Sequence, residues 1–309
     1  MKRPAAAFLA AILFLGGCAL FVAPPAAEFD VRPLVVYAGD RVDLDASRSG
    51  GDIVDYRWEV GDLAEHGRTL TTTFPHPGIY AVRLTVEDEQ GRTGEVEHEV
   101  TVYARSGTRL FVEDFSDGAS ALGRWPLDPS WAVQGESSIE SINGSPGHVL
   151  YVNSAKETYH RRATRLNLPP LRVGQRLVFS VRVMPLQTQD QQMFLIAPGR
   201  TSMDLPPTGL PYYVFSSTYG GSAIREPSAA GTEVAHPVVF TPPVHEWHTY
   251  ALAYSAGQYE LSVDGVVWQT GSMDADPSRG GASWLVLGDE SLTEACQTYY
   301  DSIVVTVEE

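Results

Sequence analysis

The residues with the clearest chemical meaning in this sequence are a group of tyrosines. Tyr212 and Tyr213 are neighbours, and Tyr219 follows shortly afterwards, directly before two glycines. Adjacent residues of a β-strand point to opposite faces, so one of the two neighbouring tyrosines must point away from the core if this segment is a strand. An exposed aromatic ring can stack on a sugar ring, and glycine lets a ligand approach the backbone closely. We therefore predict that Tyr212, Tyr213 and Tyr219 border a carbohydrate-binding surface.

Other familiar catalytic and metal-binding patterns are not present in the sequence. His245 and His248 flank Glu246-Trp247, but this is not the His-Glu-x-x-His pattern of zinc proteases. Two histidines three residues apart on a strand face opposite sides and cannot share one metal ion, so a structural role is expected for His248. The sequence contains neither a Gly-x-Ser-x-Gly elbow nor a phosphate-binding glycine loop.

The N-terminus has the layout of an export signal. Two basic residues precede an uncharged apolar run from Ala5 to Leu15, and the string Gly-Gly-Cys18 follows. This string resembles the bacterial lipobox, in which the cysteine is diacylated and becomes the mature N-terminus. The resemblance implies a signal peptide at residues 1–17, lipidation of Cys18, and an anchor and spacer at residues 18–27.

A second interpretation of the N-terminus stays open. Apolar residues continue as far as Ala23, so residues 5–23 could instead cross a bilayer as one uncleaved helix of about 20 residues. In either case the protein is exported and held at a membrane. Ala19 stands where an aspartate would retain a Gram-negative lipoprotein away from the outer membrane. The expected location is thus the cell envelope, with a lipid anchor in the outer membrane or at the cell surface.

Composition narrows the class of partner. The formal net charge is −16 over 309 residues, whereas nucleic-acid binding normally needs a basic face, so we expect no nucleic acid. The only other cysteine is Cys296, so acylation of Cys18 would leave no internal disulfide. One basic cluster occurs in this acidic chain, and we expect it to be a solvated strand edge or a contact for acidic glycans; it comprises Lys156, His160, Arg161, Arg162 and Arg165.

Residues 28–103 carry an alternating pattern of apolar and polar residues that predicts a small β-sandwich. Trp58 occupies a core position in this pattern, and Tyr80 stands where such sandwiches place a tyrosine corner. The strings Tyr56-x-Trp58, Gly61-Asp62 and Pro77-Gly78-x-Tyr80 resemble the polycystic kidney disease (PKD) repeat in order and spacing. This resemblance implies an immunoglobulin-like sandwich that acts as a spacer or interaction module.

Residues 108–309 form a second predicted domain of spaced strands, after a hinge at residues 103–108. Trp247-His248 followed by a strand, and a further strand ending in Val263-Asp264-Gly265, resemble the paired strands of concanavalin A-like and laminin G-like jelly rolls. Asp-Gly readily adopts the positive φ of a tight hairpin. The predicted fold class is therefore all-β: an immunoglobulin-like PKD sandwich followed by a concanavalin-like jelly-roll sandwich.

The jelly-roll resemblance also implies two kinds of site. Carbohydrate-binding jelly rolls often hold a structural Ca²⁺ between acids near the first and last strands, which here implies Glu113, Asp117 and Asp301 as ligands. The alternative for these residues is that they are ordinary surface acids.

Glycoside hydrolases of this superfold need two carboxyl groups about 5–5.5 Å apart for a retaining reaction, expected at acids two or four residues apart on one strand. Their Glu-x-Asp-x-x-Glu string is absent here. We therefore expect a lipid-anchored protein that binds a polysaccharide or glycan. A sugar-active enzyme, or an adhesion or scaffold protein without a small ligand, is the alternative.

Overall fold

The computed structural model of the chain describes residues 23–127, 135–154, 160–186, 193–198, 213–218, 221–227, 233–238, 243–255, 257–272, 280–288 and 296–309. The fold is all-β, and its strands form two sandwiches that follow one another along the chain. The first sandwich was predicted from the alternating sequence pattern, and the second from its spaced strands and its resemblance to jelly rolls. Within the described residues, no helix has the length and apolar character needed to cross a membrane.

The first sandwich consists of a three-stranded and a five-stranded sheet. The three-stranded sheet has the order β1-β3-β6, with β1 at Asp30–Arg32, β3 at Arg41–Asp45 and β6 at Thr69–Thr73. The five-stranded sheet has the order β2-β8-β7-β4-β5. Its strands are β2 at Val36–Tyr37, β4 at Ile53–Val60, β5 at Leu63–His66, β7 at Gly78–Asp88 and β8 at Thr93–Tyr103.

Trp58 is the central core residue of the first sandwich, as predicted. Its side chain is fully buried, and Nε1 donates a hydrogen bond to the carbonyl oxygen of Gly67 at 2.8 Å. Phe29 packs edge-on against the indole with ring centroids 5.1 Å apart. The expected tyrosine corner is also present, because the Tyr80 hydroxyl donates to the His76 carbonyl oxygen at 2.8 Å.

The second sandwich packs an eight-stranded sheet against a six-stranded sheet, which makes it a jelly-roll sandwich. The larger sheet has the order β10-β11-β22-β13-β18-β19-β20, and β9 also pairs with β22. Its strands are β9 at Arg109–Glu113, β10 at Glu136–Ser141, β11 at His148–Ser154, β13 at Arg176–Pro185, β18 at His248–Ser255, β19 at Gln258–Val263, β20 at Val266–Ser272 and β22 at Cys296–Glu308. A short helix, α1 at Ala121–Arg124, follows β9.

The smaller sheet has the order β12-β21-β14-β15-β16-β17, which places β12 at its edge. Its strands are β12 at Arg161–Leu168, β14 at Met193–Pro198, β15 at Tyr213–Thr218, β16 at Gly221–Pro227, β17 at Glu233–Val238 and β21 at Gly281–Gly288. All pairs within this sheet are antiparallel.

Alternation along the strands fixes which face of the larger sheet is buried. In β13 every second side chain, including Phe179 and Val181, lies in the core, while Ser180 and Arg182 lie on the opposite face. The hairpin between β19 and β20 turns at Asp264 and Gly265, whose φ angles are +50° and +78°. This two-residue turn confirms the hairpin expected from the Asp-Gly pair.

The segment between the sandwiches is held by hydrogen bonds on both sides. The Gln175 side-chain amide, which is buried, donates to the Ala104 carbonyl oxygen at 2.8 Å. The Gly107 amide donates to the Val307 carbonyl oxygen at 2.7 Å, and the Ala38 amide donates to the Tyr103 carbonyl oxygen at 3.0 Å. Residues 103–108, expected as a hinge, are therefore tied by their backbone to both sheets that they connect.

Candidate functional site

The tyrosines singled out in the sequence lie mostly beyond what the structure describes. Tyr212 and Tyr219 fall outside the described residues, and Tyr213 is the first residue of β15. In the backbone register Tyr213 pairs with Ile196, and Ile196 pairs with Leu285, whose side chain is buried in the core. The carbohydrate-binding role of these three tyrosines stays a prediction.

The expected calcium ligands are divided between two arginines. Glu113, at the end of β9, is 3% exposed, and its Oε1 accepts a hydrogen bond from Arg124 Nη2 at 2.8 Å. Its Oε2 accepts a hydrogen bond from the buried Trp125 indole at 3.0 Å. Asp117 accepts a hydrogen bond from the same Arg124 Nη2 at 2.9 Å, and this contact lowers the pKa of Asp117. Arg124 thus supplies the positive charge for both carboxylates.

The third expected ligand, Asp301, has its own partners. This carboxylate on β22 is 4% exposed, and its Oδ2 accepts hydrogen bonds from Arg182 Nη1 at 2.6 Å and from the Ser145 hydroxyl at 3.1 Å. No group of three or more metal-ligating side chains occurs in the described part of the chain. The calcium site stays a prediction, but the arrangement does not favour it, because each of the three carboxylates already pairs with a guanidinium group: Glu113 and Asp117 share Arg124, and Asp301 pairs with Arg182.

The outer face of the eight-stranded sheet is the surface that brings together side chains suited to binding. We use this name for the sheet face opposite the core, marked by a row of small side chains across four neighbouring strands. Ser180 pairs with Val304 on one side and with Ala251 on the other, and Ala251 pairs with Ser262. None of these four side chains is large, so they form a shallow strip of the sheet face, which we call the low floor. Longer side chains lie at the two ends of the sheet.

A pair of tyrosines stands at one end of this face. Tyr151 on β11 pairs in register with Tyr299 on β22, and their ring centroids lie 5.0 Å apart with an interplanar angle of 37°. The neighbouring Tyr300 is fully buried in the core, so Tyr299 lies on the opposite face, and both platform rings are half-buried. We call Tyr151 and Tyr299 the tyrosine platform.

Polar groups surround the tyrosine platform. The Tyr299 hydroxyl donates to Glu140 Oε2 at 3.1 Å, and the Ser138 hydroxyl donates to Glu140 Oε1 at 2.6 Å. Asn153 accepts a hydrogen bond from the Gln297 amide at 3.3 Å. Partial burial, reinforced by the Glu140 carboxylate, raises the pKa of Tyr299 to about 12, so its hydroxyl stays protonated at neutral pH.

A cation–aromatic contact lies on the outer face between the platform and the row of small side chains. The Arg182 guanidinium lies 4.4 Å from the centroid of the Trp247 ring, and Arg182 Nη2 donates to the Gly144 carbonyl oxygen at 3.1 Å. Gly144 has φ +89°, and a Cβ there would lie 3.6 Å from the Trp247 indole nitrogen. Arg182 is therefore fixed by an aromatic ring, a carbonyl and Asp301 together.

His248 has the structural role expected for it. Its Nδ1 lies 2.7 Å from Asp264 Oδ2, and the Thr249 amide donates to Asp264 Oδ1 at 2.8 Å. Hydrogen bonding to His248 and to this amide outweighs partial burial and lowers the pKa of Asp264. These contacts tie the turn between β19 and β20 to the start of β18.

The basic cluster differs from the solvated edge expected for it. β12 is an edge strand, as predicted, but His160 is 4% exposed and Arg162 is 9% exposed. Arg162 Nη1 donates to the Trp125 carbonyl oxygen at 2.6 Å, and the Ser137 hydroxyl contacts both Arg162 Nε and His160 Nε2. These two side chains are buried because they satisfy backbone and hydroxyl groups where the two sheets meet. Arg165 behaves as expected in being exposed, and it stacks on Trp284.

Two acids lie near the platform on one face of β10. Glu136 and Glu140 are four residues apart, which corresponds to about 13 Å along the strand backbone. The Glu136 carboxylate accepts a hydrogen bond from Asn153, whereas the Glu140 carboxylate accepts hydrogen bonds from Ser138 and Tyr299. The sugar-active enzyme stays the alternative.

Sequence reasoning missed the tyrosine platform although a signal for it existed. The argument that one of two adjacent strand tyrosines must point away from the core applies equally to Tyr299 and Tyr300. What the sequence lacks is any sign that Tyr151 lies opposite Tyr299, because that depends on the pairing of β11 with β22.

Comparison with known proteins supports the assignment of the first sandwich. Residues 22–103 match the family model described as the PKD domain. The match confirms the PKD resemblance of that segment. No curated protein sequence matches the chain.

Several solved structures are similar to part of this chain. A carbohydrate esterase from the Shiga toxin-encoding bacteriophage phi24B is 14% identical, with a TM-score of 0.48 over 65% of this chain and 99% of its own. An endo-1,3-β-glucanase from Streptomyces sioyaensis is 17% identical, with a TM-score of 0.45 over 65% and 96%. A mixed-linkage glucan glycoside hydrolase of family 16 from Bacteroides ovatus is 14% identical, with a TM-score of 0.45 over 63% and 99%. The activities in these names belong to the three similar proteins, and at these identities the likeness concerns the fold alone.

Proposed function

We propose that the second sandwich, a concanavalin-like jelly roll, binds a polysaccharide through the outer face of its eight-stranded sheet. The observation that carries this proposal is the tyrosine platform, two half-buried rings set side by side on a sheet face with hydrogen-bonding groups around them. Aromatic faces bind the apolar faces of sugar rings, and the surrounding polar groups bind hydroxyls. Both requirements are met by three neighbouring strands, β10, β11 and β22.

The neighbouring side chains favour an extended ligand over a small one. The low floor of Ser180, Ala251, Ser262 and Val304 continues across four strands from the platform side of the sheet. A polymer lying on the low floor would meet small side chains there, and it would pass the Arg182 guanidinium between the floor and the platform. The platform thus supplies a stacking point, and the floor leaves space for the rest of the chain.

The charges around the platform favour an uncharged glycan. Glu136 and Glu140 both lie beside the platform, and the whole chain carries a net charge of −16. A polyanion approaching this face would be repelled, since like charges in proximity are unfavourable. The Glu-x-Asp-x-x-Glu string of the hydrolases is absent from the sequence. Binding without cleavage is therefore the function that we propose, with a hydrolase as the alternative.

The proposal can be tested by measuring the binding of the full-length chain to a panel of neutral and acidic polysaccharides. Affinity electrophoresis and calorimetry give the affinities. Tyr151→Ala and Tyr299→Ala should each weaken binding by about 1–3 kcal/mol, by analogy with aromatic stacking on bases. The matched controls Tyr151→Phe and Tyr299→Phe keep the rings and should retain most of the affinity.

Four results would count against this proposal. Parent-like binding by both alanine variants would move the site elsewhere, and loss of binding in Tyr213→Ala alone would move it to the β15 segment. Release of reducing sugar would favour the enzyme, and failure to bind any polysaccharide would favour the scaffold or adhesion role.

We further propose that Cys18 is lipidated and that the chain is tethered in the cell envelope, at the outer membrane or cell surface. The support is the Leu-Gly-Gly-Cys string after a basic and apolar start. More than one acyl chain is needed for stable anchoring. Cys18→Ala should abolish labelling by a radioactive fatty acid and leave uncleaved precursor; unchanged labelling would refute the lipid anchor.

A further inference from the structure

A β-bulge holds one tryptophan at the edge of the eight-stranded sheet. Ser262 on β19 pairs with Val267 on β20, which is the edge strand. The next pair joins Leu261 to Gln269, so Trp268 is an extra residue between the two pairs. In a bulge of this kind two residues of one strand lie opposite a single residue of its partner. Val267 and Trp268 therefore both lie opposite Ser262.

Neighbouring contacts fix the face on which Trp268 lies. Gln269 points toward the core, because its side-chain amide donates to the hydroxyl of the buried Tyr259 at 2.9 Å. Consecutive strand residues point to opposite faces, so Trp268 points to the outer face. Ser262 lies on the same face and is one of the four residues of the low floor. Trp268 thus borders the low floor at the end farthest from β22.

The surroundings of Trp268 are exposed and uncharged. Trp268 is 45% exposed, and the adjoining Val267 is 51% exposed. The strand β20 reads Val-Val-Trp-Gln-Thr-Gly-Ser and carries no charged residue. Contiguous exposed apolar side chains mark interaction sites, whereas single ones are ordinary. An accessible indole in an uncharged setting is suited to stacking on a neutral sugar ring.

The low floor separates Trp268 from the tyrosine platform. Four strand spacings lie between β22 and β20, which corresponds to about 19 Å across the sheet. Tyr299 is five residues from Val304, the low-floor residue on β22, which adds about 16 Å along the strand. The two displacements are at right angles, so Tyr299 and Trp268 are about 25 Å apart.

We infer that Trp268 is a second stacking subsite of the polysaccharide site, and that the ligand is a neutral oligosaccharide stretch long enough to reach it from the tyrosine platform. This inference rests on the proposed function. A pyranose unit is about 5 Å long, close to one strand spacing, so the ligand needs about five units. Two stacking contacts on one ligand are linked, and the second forms at a high effective concentration once the ligand spans both.

The dependence of affinity on ligand length tests this subsite. The full-length chain is titrated by calorimetry with gluco-, galacto-, manno- and xylo-oligosaccharides, each as a series from the disaccharide to the octasaccharide. A series that binds should gain about tenfold in affinity when its members become long enough to reach Trp268. Trp268→Ala should remove this gain and leave the affinity for the short members unchanged. The matched control Trp268→Phe keeps a ring and should retain most of the gain.

Oxidative footprinting read by mass spectrometry reports the contact without any measurement of affinity. A bound octasaccharide should protect Trp268 from oxidation, whereas a disaccharide at the same occupancy should not. Leu34 on the first sandwich is 96% exposed and serves as the internal control, since neither ligand should protect it.

Two results separate this subsite from the polysaccharide site as a whole. The inference is overturned if Trp268→Ala, shown to be folded by its melting curve, keeps the gain with length, or if the octasaccharide leaves Trp268 unprotected. Weaker binding at every length in Tyr151→Ala would still support the tyrosine platform in either case. If none of the four series binds, the inference is also overturned, and the polysaccharide panel decides the proposed function separately.

Discussion

Arg124 Nη2 lies 2.8 Å from Oε1 of Glu113, a carboxylate that is almost completely buried. The Arg124 side chain is about half exposed, so it lies between the solvent and the buried Glu113 carboxylate at the end of β9. Trp125 donates to the other oxygen of the same carboxylate. Glu113 therefore has a charged partner and an indole partner, and its burial is compensated.

Removing the arginine should destabilise the second sandwich. Arg124→Ala leaves a buried, ionised Glu113 without its counter-charge, and we expect a loss of about 2–3 kcal/mol in the free energy of unfolding. Urea denaturation followed by tryptophan fluorescence measures it. Adding Glu113→Gln to Arg124→Ala should restore part of the loss, because no charge is then buried. A loss below about 0.5 kcal/mol in the single variant would show that the pair contributes little.

Chelation distinguishes the arginine pairing from the calcium site implied by the sequence. If Arg124 and Arg182 take the place of a calcium ion as the partners of Glu113, Asp117 and Asp301, the melting temperature should be the same in EDTA as in excess calcium. A ligand that binds only the native state would raise the melting temperature in a concentration-dependent way. Such a rise, lost in Asp301→Asn, would restore the calcium site.

Trp58 should be the most costly single truncation in the first sandwich. Its indole is fully buried and hydrogen-bonded to Gly67, so Trp58→Ala should cost about 3–5 kcal/mol by leaving a cavity. Thermal melting monitored by circular dichroism measures the change. Trp58→Phe, which refills most of the space, is the matched control and should cost less. An unchanged melting temperature for the alanine variant would contradict the strand register.

His160 should make the second sandwich sensitive to mild acid. Burial, and next the nearby Arg162 charge, lower the pKa of His160 below its ordinary value of 6.5, although Glu136 acts in the opposite direction. The unfolded chain therefore binds a proton at higher pH than the folded chain does. The stability that comes from neutral His160 is full above about pH 6.5 and falls as the pH drops below it.

Chemical denaturation at a series of pH values between 7.5 and about 5 measures this slope. His160→Gln should flatten it, whereas the same change at the exposed His66 should leave it as in the parent. An equal slope in the His160 variant and the parent would assign the acid sensitivity to other groups.

The environment of Tyr299 can be measured without any glycan. Partial burial first, and then the Glu140 carboxylate, raise its pKa to about 12. Glu140→Gln should lower that pKa toward the ordinary value near 10, but not all the way, since burial remains. An NMR titration of carbon-13-labelled tyrosines gives the shift, and Glu136→Gln serves as the control. No change in Glu140→Gln would place the Tyr299 hydroxyl away from Glu140.

The sequence by itself determined the fold class, the core of the first sandwich and the sharp hairpin. Alternation along a strand fixes which side chains are buried whatever the partner strand is, so Trp58, Val42 and Leu44 could be assigned to the core directly. The turn at Asp264 and Gly265 depends only on local backbone preferences. These features are encoded within a few residues of one another.

Only the tertiary structure decided which side chains meet. Tyr151 contacts Tyr299, and Arg182 contacts Asp301, because β22 lies between β11 and β13 in the sheet. Strand order and register are set by the packing of the whole core, and a local pattern carries no record of them. For this reason the acids that the sequence offered as metal ligands are paired with arginines, and the tyrosines that form the platform are ones that the sequence did not single out.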